Sequence, residues 1–257
     1  MILRDKRLRT ALVTGAANRI GRAIVEDLAA NGFSVAIHAN RSIDAAENFA
    51  AELRQRGLGA ISLQADLKHI AATNGLINRA SEALGPIDLL VNNASAFHND
   101  SANRFDPAAW EEHFALHVRA PSILAAAFAE QLPEDDAGLI VNVIDQRVWA
   151  LNPTFFSYTL SKAALWTATQ TMAQTFAPRI RVNALGPGPT VRSARQTEED
   201  FQAQVDGLIM KAGPGFGEFG RTIRFLYDTP SITGQMIALD GGQHLAWQTP
   251  DVAEITE

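Results

Sequence analysis

Short apolar runs alternate along the chain with longer stretches in which apolar residues recur every three or four positions. The runs predict strands at 8–14, 33–38, 60–64, 87–91, 139–144 and 180–185, with a last strand before residue 240. The longer stretches predict helices at 19–31, 43–56, 69–84, 107–131 and 153–176, the fourth interrupted near Pro121. This alternation, broken by glycine or asparagine, is typical of a parallel sheet with helices on both faces.

The order of elements predicts an α/β protein with a doubly wound sheet of the Rossmann type, because right-handed crossovers place helices on both faces. No linker, repeat or low-complexity tract divides the chain, so we expect a single domain over residues 1–257. The length of 257 residues and the 47% hydrophobic content suffice for one three-layer core. Ligands of such sheets bind beyond the carboxyl ends of the strands.

Charge and composition exclude several classes of function. A net charge of −6 predicts no general attraction to nucleic acid or to an anionic membrane, and no apolar run is long enough to span a bilayer. The basic start, 4–9, leads into a strand-like segment rather than the apolar run of a signal peptide, so we expect a cytoplasmic protein. The chain has no cysteine, and its six histidines show no metal-binding spacing. We expect a small-molecule substrate and no metal.

Tyr158 and Lys162 are the first candidate site, since they lie four apart in a predicted helix and therefore share one of its faces. A phenol has a pKa of about 10, and a nearby ammonium lowers that value by favouring the phenolate. The pair therefore predicts a general acid for a group that receives a hydride. Such pairs are also common on solvated helix faces, so the assignment depends on the neighbouring segments.

The first predicted strand runs into a turn that contains glycine, and then into a helix. Gly15 permits a tight turn, Gly21 permits close packing of helix and sheet, and the N–H groups at the start of the helix attract a phosphate. The glycine spacing is not that of the G-x-G-x-x-G fingerprint, which leaves an ordinary turn as the alternative. Its position in the first βαβ unit favours a dinucleotide site.

The segment that follows the second strand, 38–42, indicates which dinucleotide binds. NAD sites usually place an acidic residue there for the ribose 2′-hydroxyl, and this segment has none. Arg41 and Ser42, with Arg19 nearby, suit a 2′-phosphate, so we predict NADP(H). A solvated loop and a helix cap are the alternatives for these two residues. Asp66, after the third strand, suits either the adenine amino group or a helix N-cap.

Five segments resemble motifs of the short-chain dehydrogenase/reductase family: TGAANRIG at 14–21, NNAS at 92–95, YTLSK at 158–162, RVNALGPGPT at 181–190 and ITGQMIALDGG at 232–242. The resemblance implies hydride transfer with NAD(P) and usually a homotetramer, with a homodimer as the alternative. It also implies that Tyr158 donates the proton, while Lys162 holds the nicotinamide ribose and lowers the pKa of Tyr158. The predicted cofactor site comprises Gly15, Arg19, Ile20, Gly21, His38, Asn40, Arg41, Ser42, Asp66, Leu67, Asn93, Ala94, Ser95, Tyr158, Lys162, Pro187 and Gly188.

Within that family the chain is most similar to the pteridine reductases, including the bacterial dihydromonapterin reductase type. Arg19 and the H-x-x-R-S segment at 38–42 match their cofactor-binding residues, and Phe97 matches the Phe that stacks on the pterin. Asp145 lies thirteen residues before Tyr158, where most of the wider family has Ser. We therefore predict a substrate site of Phe97, Asp145 and Tyr158, and catalytic roles for Tyr158, Lys162 and Asp145.

Asp145 bears on the choice of substrate. A ketone reductase needs a hydroxyl donor at this place, whereas an ionised carboxylate cannot donate and repels an alkoxide. A carboxylate also raises the pKa of Tyr158, in opposition to Lys162. It suits a nitrogen heterocycle, where it accepts from ring N–H or amino groups or relays a proton to an imine nitrogen. A strand-end cap is the alternative for Asp145, and core packing is the alternative for Phe97.

The leading hypothesis is an NADPH-dependent reductase of a pterin-like or other cyclic C=N or C=O substrate. A general carbonyl or alcohol oxidoreductase, such as a 3-oxoacyl reductase, is the alternative within the family. A non-catalytic dinucleotide-binding sensor is the alternative of another class, because His117 replaces the Asn that the family usually has. That Asn position holds a water linking the lysine to solvent. With His117 the relay either survives through the backbone carbonyl, uses the imidazole or is impaired.

Residues 190–220 are polar and rich in glycine, with a short helix expected near 198–210, and we predict a substrate-binding lid there. Glycines around Phe216 and Phe219 predict a flexible frame, with a surface loop over two buried aromatics as the alternative. These glycines are Gly213, Gly215, Gly217 and Gly220. Beyond the last strand, Leu245 and Trp247 are candidates for a subunit interface.

Overall fold

The computed structural model describes residues 9–192 and 196–247. Within these ranges seven strands form one parallel sheet in the order β3-β2-β1-β4-β5-β6-β7. The strands are β1 (Thr10–Val13), β2 (Ser34–Ala39), β3 (Ala60–Gln64), β4 (Leu89–Asn92), β5 (Gly138–Val143), β6 (Ile180–Pro187) and β7 (Met236–Leu239). The α/β class and the doubly wound sheet predicted from the sequence are confirmed.

Helices connect the strands and cover both faces of the sheet. They are α1 (Arg19–Ala30), α2 (Ile43–Gln55), α3 (Ile70–Leu84), α4 (Pro107–Phe114), α5 (Ala120–Gln131), α6 (Phe156–Phe176), α7 (Glu198–Asp206) and α8 (Phe216–Asp228). A π-helical turn, Ala115–Arg119, joins α4 to α5, and single 3-10 turns lie at Gln146–Val148 and Gln243–Leu245. Among the described residues no helix has the length and apolar character needed to cross a membrane.

The strands are apolar on both sides because each side of the sheet carries its own core. On one side α1, α2 and α8 pack on the sheet, with Ile24, Phe49 and Phe219 fully buried. On the other side α3 and α5 pack on it, with Leu76 and Phe128 fully buried. Strand order reverses between β1 and β4, so the connections that leave their carboxyl ends run to opposite faces of the sheet and leave a crevice there.

One predicted helix break agrees with the structure, and one predicted helix start differs from it. The interruption expected near Pro121 in the helix at 107–131 is a π turn, which ends two residues before Pro121 at the start of α5. Proline lacks an N–H and disfavours a regular helix at the preceding residue, which accounts for a break at this place. The predicted start at Pro153 moves to Phe156 in α6. The basic arm at 4–9 lies outside the described residues, apart from its last residue.

The flexible glycine frame expected at 213–220 is wrong for its second half, because Gly217 and Gly220 belong to α8. A Cβ on Gly220 would lie 2.3 Å from Cβ of Asp27 in α1, so this glycine permits close packing of two helices. Arg224 of α8 also pairs with Asp27 through two hydrogen bonds, at 2.7 and 3.2 Å. The segment is therefore part of the core rather than a mobile loop.

Candidate active site

A cavity of about 1220 Å³ opens where the strands end, lined by the segments that follow β1, β2, β3, β4, β5 and β6. Every predicted site residue except Asp66 lines it. Asp66 instead accepts a hydrogen bond from the backbone N–H of Lys68 at 3.0 Å, within the turn before α3. The N-cap residue of α3 is His69, so the helix-cap alternative for Asp66 is wrong and its carboxylate closes the turn that precedes the helix.

The turn after β1 is fixed to the turn after β4 by Thr14 and Asn93. The Thr14 hydroxyl accepts from the backbone N–H groups of Asn93 (2.9 Å) and Ala94 (3.0 Å). The Asn93 amide donates to the carbonyl oxygens of Thr14 (2.8 Å) and Gly15 (3.0 Å). Gly15 has a φ of +62°, and a Cβ there would lie 2.8 Å from Cα of Ala94. Thr14 was not among the predicted site residues, although it lies in the quoted motif.

His38 supports the glycine turn as a neutral side chain. Its Nδ1 accepts from the Gly15 N–H at 3.1 Å, and its Nε2 pairs with the carbonyl oxygen of Ala65 at 3.0 Å. Burial lowers the pKa of His38 to about 4, so the ring is neutral near pH 7 with its proton on Nε2. His38 therefore holds the loop that lines the cavity and supplies no positive charge to a phosphate.

Positive charge comes from the arginines at the starts of α1 and α2. Arg19 is the first residue of α1, and its guanidinium donates to the carbonyl oxygen of Val191 at 3.3 Å. Arg41 is exposed beside Ser42, the N-cap residue of α2. The Ser42 side chain makes no capping hydrogen bond within the described chain, so its hydroxyl remains available for a ligand. These donors, with the first N–H groups of α1, suit a dinucleotide that carries an additional phosphate.

Tyr158 and Asp145 form the centre of the site. The Tyr158 hydroxyl donates to Oδ2 of Asp145 at 2.9 Å, while Oδ1 accepts from the backbone N–H of Arg147 at 2.9 Å. Burial, and then the adjacent Asp145 carboxylate, raise the pKa of Tyr158 well above 10. Burial also raises the pKa of Asp145 above its usual value. The phenol therefore stays protonated at neutral pH and donates its hydrogen bond to the Asp145 carboxylate.

Lys162 does not lower the pKa of Tyr158 in this structure, which corrects the sequence prediction. Its ammonium donates to the carbonyl oxygen of Val143 at 2.8 Å and lies 5.7 Å from the centre of the Tyr158 ring. Burial lowers the pKa of Lys162 to about 8, so the ammonium is still largely charged near pH 7. The expectation that Asp145 raises the pKa of Tyr158 agrees with the geometry.

Phe97 lies against the Tyr158 ring, edge to face, with 4.7 Å between ring centres. Its flat side is stacked on Phe155, 4.2 Å away and only 7° from parallel. Phe155 is the N-cap residue of α6 and has a left-handed backbone, with φ of 56°. The sequence placed an aromatic surface at Phe97 but gave no sign of Phe155, because their contact joins distant parts of the chain.

His117 lies in the π turn and joins the loop after β4 to α6. Its Nε2 accepts from the Ala96 N–H (3.2 Å) and pairs with the Ser95 hydroxyl (2.9 Å), while Nδ1 pairs with the Ser161 hydroxyl at 2.8 Å. Burial, and then the charge of Lys162, hold the pKa of His117 well below 6.5. An imidazole that titrates near neutrality is therefore wrong for this position.

Part of the predicted lid reaches the cavity. Val191, Gln196, Phe201 and Gln204 line it, the last two from α7. A capping box begins α7, in which Thr197 and Asp200 bond each other's backbone N–H at 3.1 and 3.2 Å. Residues 193–195 of the predicted lid lie outside the described ranges.

The fold and this constellation define a class of protein. The short chain dehydrogenase family matches residues 9–213, and the chain belongs to that family. Among solved structures, it resembles FolM Alternative dihydrofolate reductase 1 from Brucella canis, complexed with NADP. The two are 58% identical over 95% of this chain and 96% of that one, with a TM-score of 0.92.

Two more distant relatives match over most of this chain and nearly all of their own length. The uncharacterized oxidoreductase YmfI of Bacillus subtilis is 31% identical over 92% of this chain and 99% of its own. The 3-oxoacyl-[acyl-carrier-protein] reductase FabG of Staphylococcus epidermidis is 28% identical over the same shares of the two chains.

Proposed function

We propose that the protein is an NADP(H)-dependent oxidoreductase that reduces a C=N bond in a planar, pterin-like ring, with Tyr158 as proton donor. The observation that carries the proposal is the hydrogen bond between Tyr158 and Asp145 beside the aromatic face of Phe97. The similarity to a protein described as an alternative dihydrofolate reductase, complexed with NADP, supports both substrate class and cofactor.

The residues present fit an NADP(H) molecule. Gly15 lets the turn after β1 approach Ala94 closely, and the start of α1 offers N–H groups to the central phosphates. Arg41 and the uncapped Ser42 would hold the 2′-phosphate, together with Arg19, which lines the same cavity. Lys162 would hold the nicotinamide ribose, and the turn of Asn93 to Ser95 would border the nicotinamide. When bound, this cofactor supplies the hydride.

The chain's own residues deliver the proton and orient the ring. Reduction of C=N adds a hydride to carbon and a proton to nitrogen, so one acid must face the nitrogen. Tyr158 keeps its proton because its pKa is raised by burial and by Asp145. Burial raises the pKa of Asp145, so this carboxylate takes up a proton from solvent more readily than an ordinary one and then passes that proton to the imine nitrogen. Phe97 would present a flat face to the ring in place of Phe155, which is stacked on it here.

Reduction of a simple carbonyl is the second candidate, favoured by the relative described as a 3-oxoacyl reductase. Asp145 argues against it. A carboxylate that accepts the Tyr158 hydrogen bond opposes the negative charge that develops on a carbonyl oxygen. Two of the predicted catalytic groups would then work against each other.

NADPH oxidation, measured with dihydropterins, dihydrofolate and simple ketones, tests the proposal. We expect turnover of the dihydropterins and a loss of about 10²- to 10⁴-fold in kcat for Tyr158→Phe, the range typical of a general acid. NADPH binding by this variant should remain within a factor of three, since the phenyl ring keeps its packing. Turnover unaffected by Tyr158→Phe, or absent on every ring substrate, would contradict the proposal. Turnover of ketones alone would favour the carbonyl reductase, and no turnover of any substrate would favour the sensor alternative.

We also propose a cytoplasmic homotetramer, with a homodimer as the alternative. Exposed apolar side chains support association, among them Leu151 (75% exposed), Leu245 (61%) and Trp247 (61%). The proposed reaction draws on a pool of reduced dinucleotide, which supports the cytoplasmic location. Sedimentation equilibrium should give four times the 27.8 kDa chain mass, and a monomer at micromolar concentration would contradict the assembly. Cell fractionation should place the protein with cytoplasmic markers, and recovery with membranes would contradict that location.

A further inference from the structure

Arg147 lies on the wall of the cavity beside the three residues of the predicted substrate site, yet it belongs to none of the family motifs quoted from the sequence. It occupies the 3-10 turn Gln146–Val148, directly after β5 and Asp145. Its guanidinium carbon lies 4.7 Å from the centre of the Phe155 ring and 5.4 Å from that of Phe97. The cation therefore borders the aromatic surface on which a planar ring would stack.

The hydrogen-bonding capacity of Arg147 is incompletely used. Its Nε lies 3.9 Å from Oδ1 of Asp145, too long for a hydrogen bond but close enough for an ion pair. Its Nη1 is buried and has no hydrogen-bond partner among the described residues. A buried guanidinium N–H without an acceptor is costly, so such a group calls for an explanation.

A second buried atom in the same turn also lacks a partner. Oε1 of Gln146, a residue only 5% exposed, has no hydrogen-bond donor within the described chain. The turn thus brings an acceptor side chain, a carboxylate and an unsatisfied cationic donor to one side of the cavity. Such an arrangement matches a ligand edge that carries donors and acceptors side by side.

We propose that Arg147 is a substrate-specificity residue, whose guanidinium donates to a carbonyl oxygen on the edge of the planar ring while Asp145 accepts from the neighbouring N–H or amino group. The inference rests on the proposed function and narrows its substrate class. It selects rings with an amide-like edge over cyclic imines that lack an oxygen acceptor. A cation at this edge also balances the charge of Asp145.

Phe155 now covers the face of Phe97 that a substrate would use. A ring that replaces Phe155 on Phe97 would come within reach of Arg147, since the guanidinium borders both phenyl rings. The substrate then meets the buried Nη1 only after Phe155 moves. This order explains how a donor can lack a partner in the present arrangement and gain one on binding.

Binding of two oxidised ring ligands to the NADP⁺-loaded protein tests the inference by calorimetry. One ligand is a 2-amino-4-oxopteridine, and the other is the same ring without the 4-oxygen. Arg147→Met should weaken binding of the 4-oxo ligand about 10- to 100-fold, as expected for the loss of one charged hydrogen bond. The same variant should weaken binding of the ligand without the 4-oxygen less than threefold. Arg147→Lys keeps the charge but loses the planar fork, so its Kd for the 4-oxo ligand should lie between those of the unaltered protein and of Arg147→Met. Arg221→Met, on the exposed side of α8, is the control that should change neither Kd.

Equal weakening of both ligands would overturn the inference, because it would mean that Arg147 acts only by holding Asp145. Unchanged binding of the oxo ring, or no binding of either ring to the unaltered protein, would overturn it as well. Turnover of dihydropterins by the unaltered protein is measured separately. If that turnover is absent while the Arg147-dependent selectivity is present, the proposed function fails and this inference stands.

Discussion

Burial raises the pKa of both Asp145 and Tyr158, and the Asp145 carboxylate raises that of Tyr158 further, whereas the hydrogen bond from Tyr158 partly offsets the effect of burial on Asp145. This coupling is unlike the arrangement expected from a tyrosine–lysine pair alone, in which the ammonium favours the phenolate. The charge of Arg147 lowers the pKa of both groups, but burial outweighs it, and the ammonium of Lys162 is directed at the carbonyl of Val143. At the scale of single residues, the site is thus suited to supplying a proton to nitrogen.

Cofactor choice also depends on single side chains, and Arg41 provides its test. Arg41→Ala should raise the KM for NADPH about 10- to 100-fold, because a charged hydrogen bond to the 2′-phosphate contributes about 1.5–3 kcal/mol. The KM for NADH should stay within threefold, which makes NADH the internal control. Steady-state kinetics with both cofactors measures this, and an equal rise for NADPH and NADH would contradict the assignment.

The elements owe their positions to contacts that sequence patterns do not contain. His117 joins the loop after β4 to α6 because the π turn directs its ring between Ser95 and Ser161. Helix α8 was missed because glycines weigh against a helix when propensity is considered alone. Its packing against α1 outweighs that preference, as the pairing of Arg224 with Asp27 indicates.

Two glycines of α8 make a matched test of this packing. Gly220→Ala should destabilise the protein by about 1–3 kcal/mol, the usual range for overpacking, because its Cβ would collide with Asp27. Gly217→Ala should stabilise it by about 0.4–1 kcal/mol, since nothing lies within 4 Å of the added methyl group. Urea denaturation of both variants gives the free energies of unfolding. Equal effects would show that α8 does not pack on α1 as described.

For the whole molecule, the alternation of apolar runs and amphipathic stretches was enough to predict the sheet and most of its helices. The glycine turn after β1 and the arginines beside it were predictable, because local backbone chemistry decides them. Phe155 and Arg147 were not, because they meet Phe97 only after β4 and β5 have paired. Sequence spacing therefore identified the reacting groups, and tertiary packing decided what surrounds them.

Buried histidines make the stability of the whole chain dependent on pH. Burial lowers the pKa of His38 and of His113 to about 4, from 6.5 in the unfolded chain. As pH falls below 6.5, the unfolded state binds protons that the folded state does not, so stability decreases until about pH 4. The slope contributed by each such residue approaches about 1.4 kcal/mol per pH unit.

Removing one of these residues should reduce that slope. His38→Gln should lower the free energy of unfolding at pH 7 by about 1–3 kcal/mol through a lost hydrogen bond. It should also reduce the slope of that free energy against pH near pH 5 by about the contribution of one proton. Urea denaturation of the unaltered protein and of this variant from pH 7 to pH 4.5 measures both slopes. An unaltered slope in His38→Gln would mean that His38 is already protonated in the folded protein.

The central claim is that Asp145 selects a cyclic C=N substrate over a simple carbonyl. The most direct test is the ratio of kcat/KM for a dihydropterin to kcat/KM for a simple ketone, measured with NADPH for the unaltered protein and for Asp145→Ser. A serine hydroxyl donates to a carbonyl oxygen but cannot hold the charge of the carboxylate, so the ratio should fall by about 10²-fold or more. An unchanged ratio, with dihydropterin reduction intact and ketone reduction already high, would contradict the account.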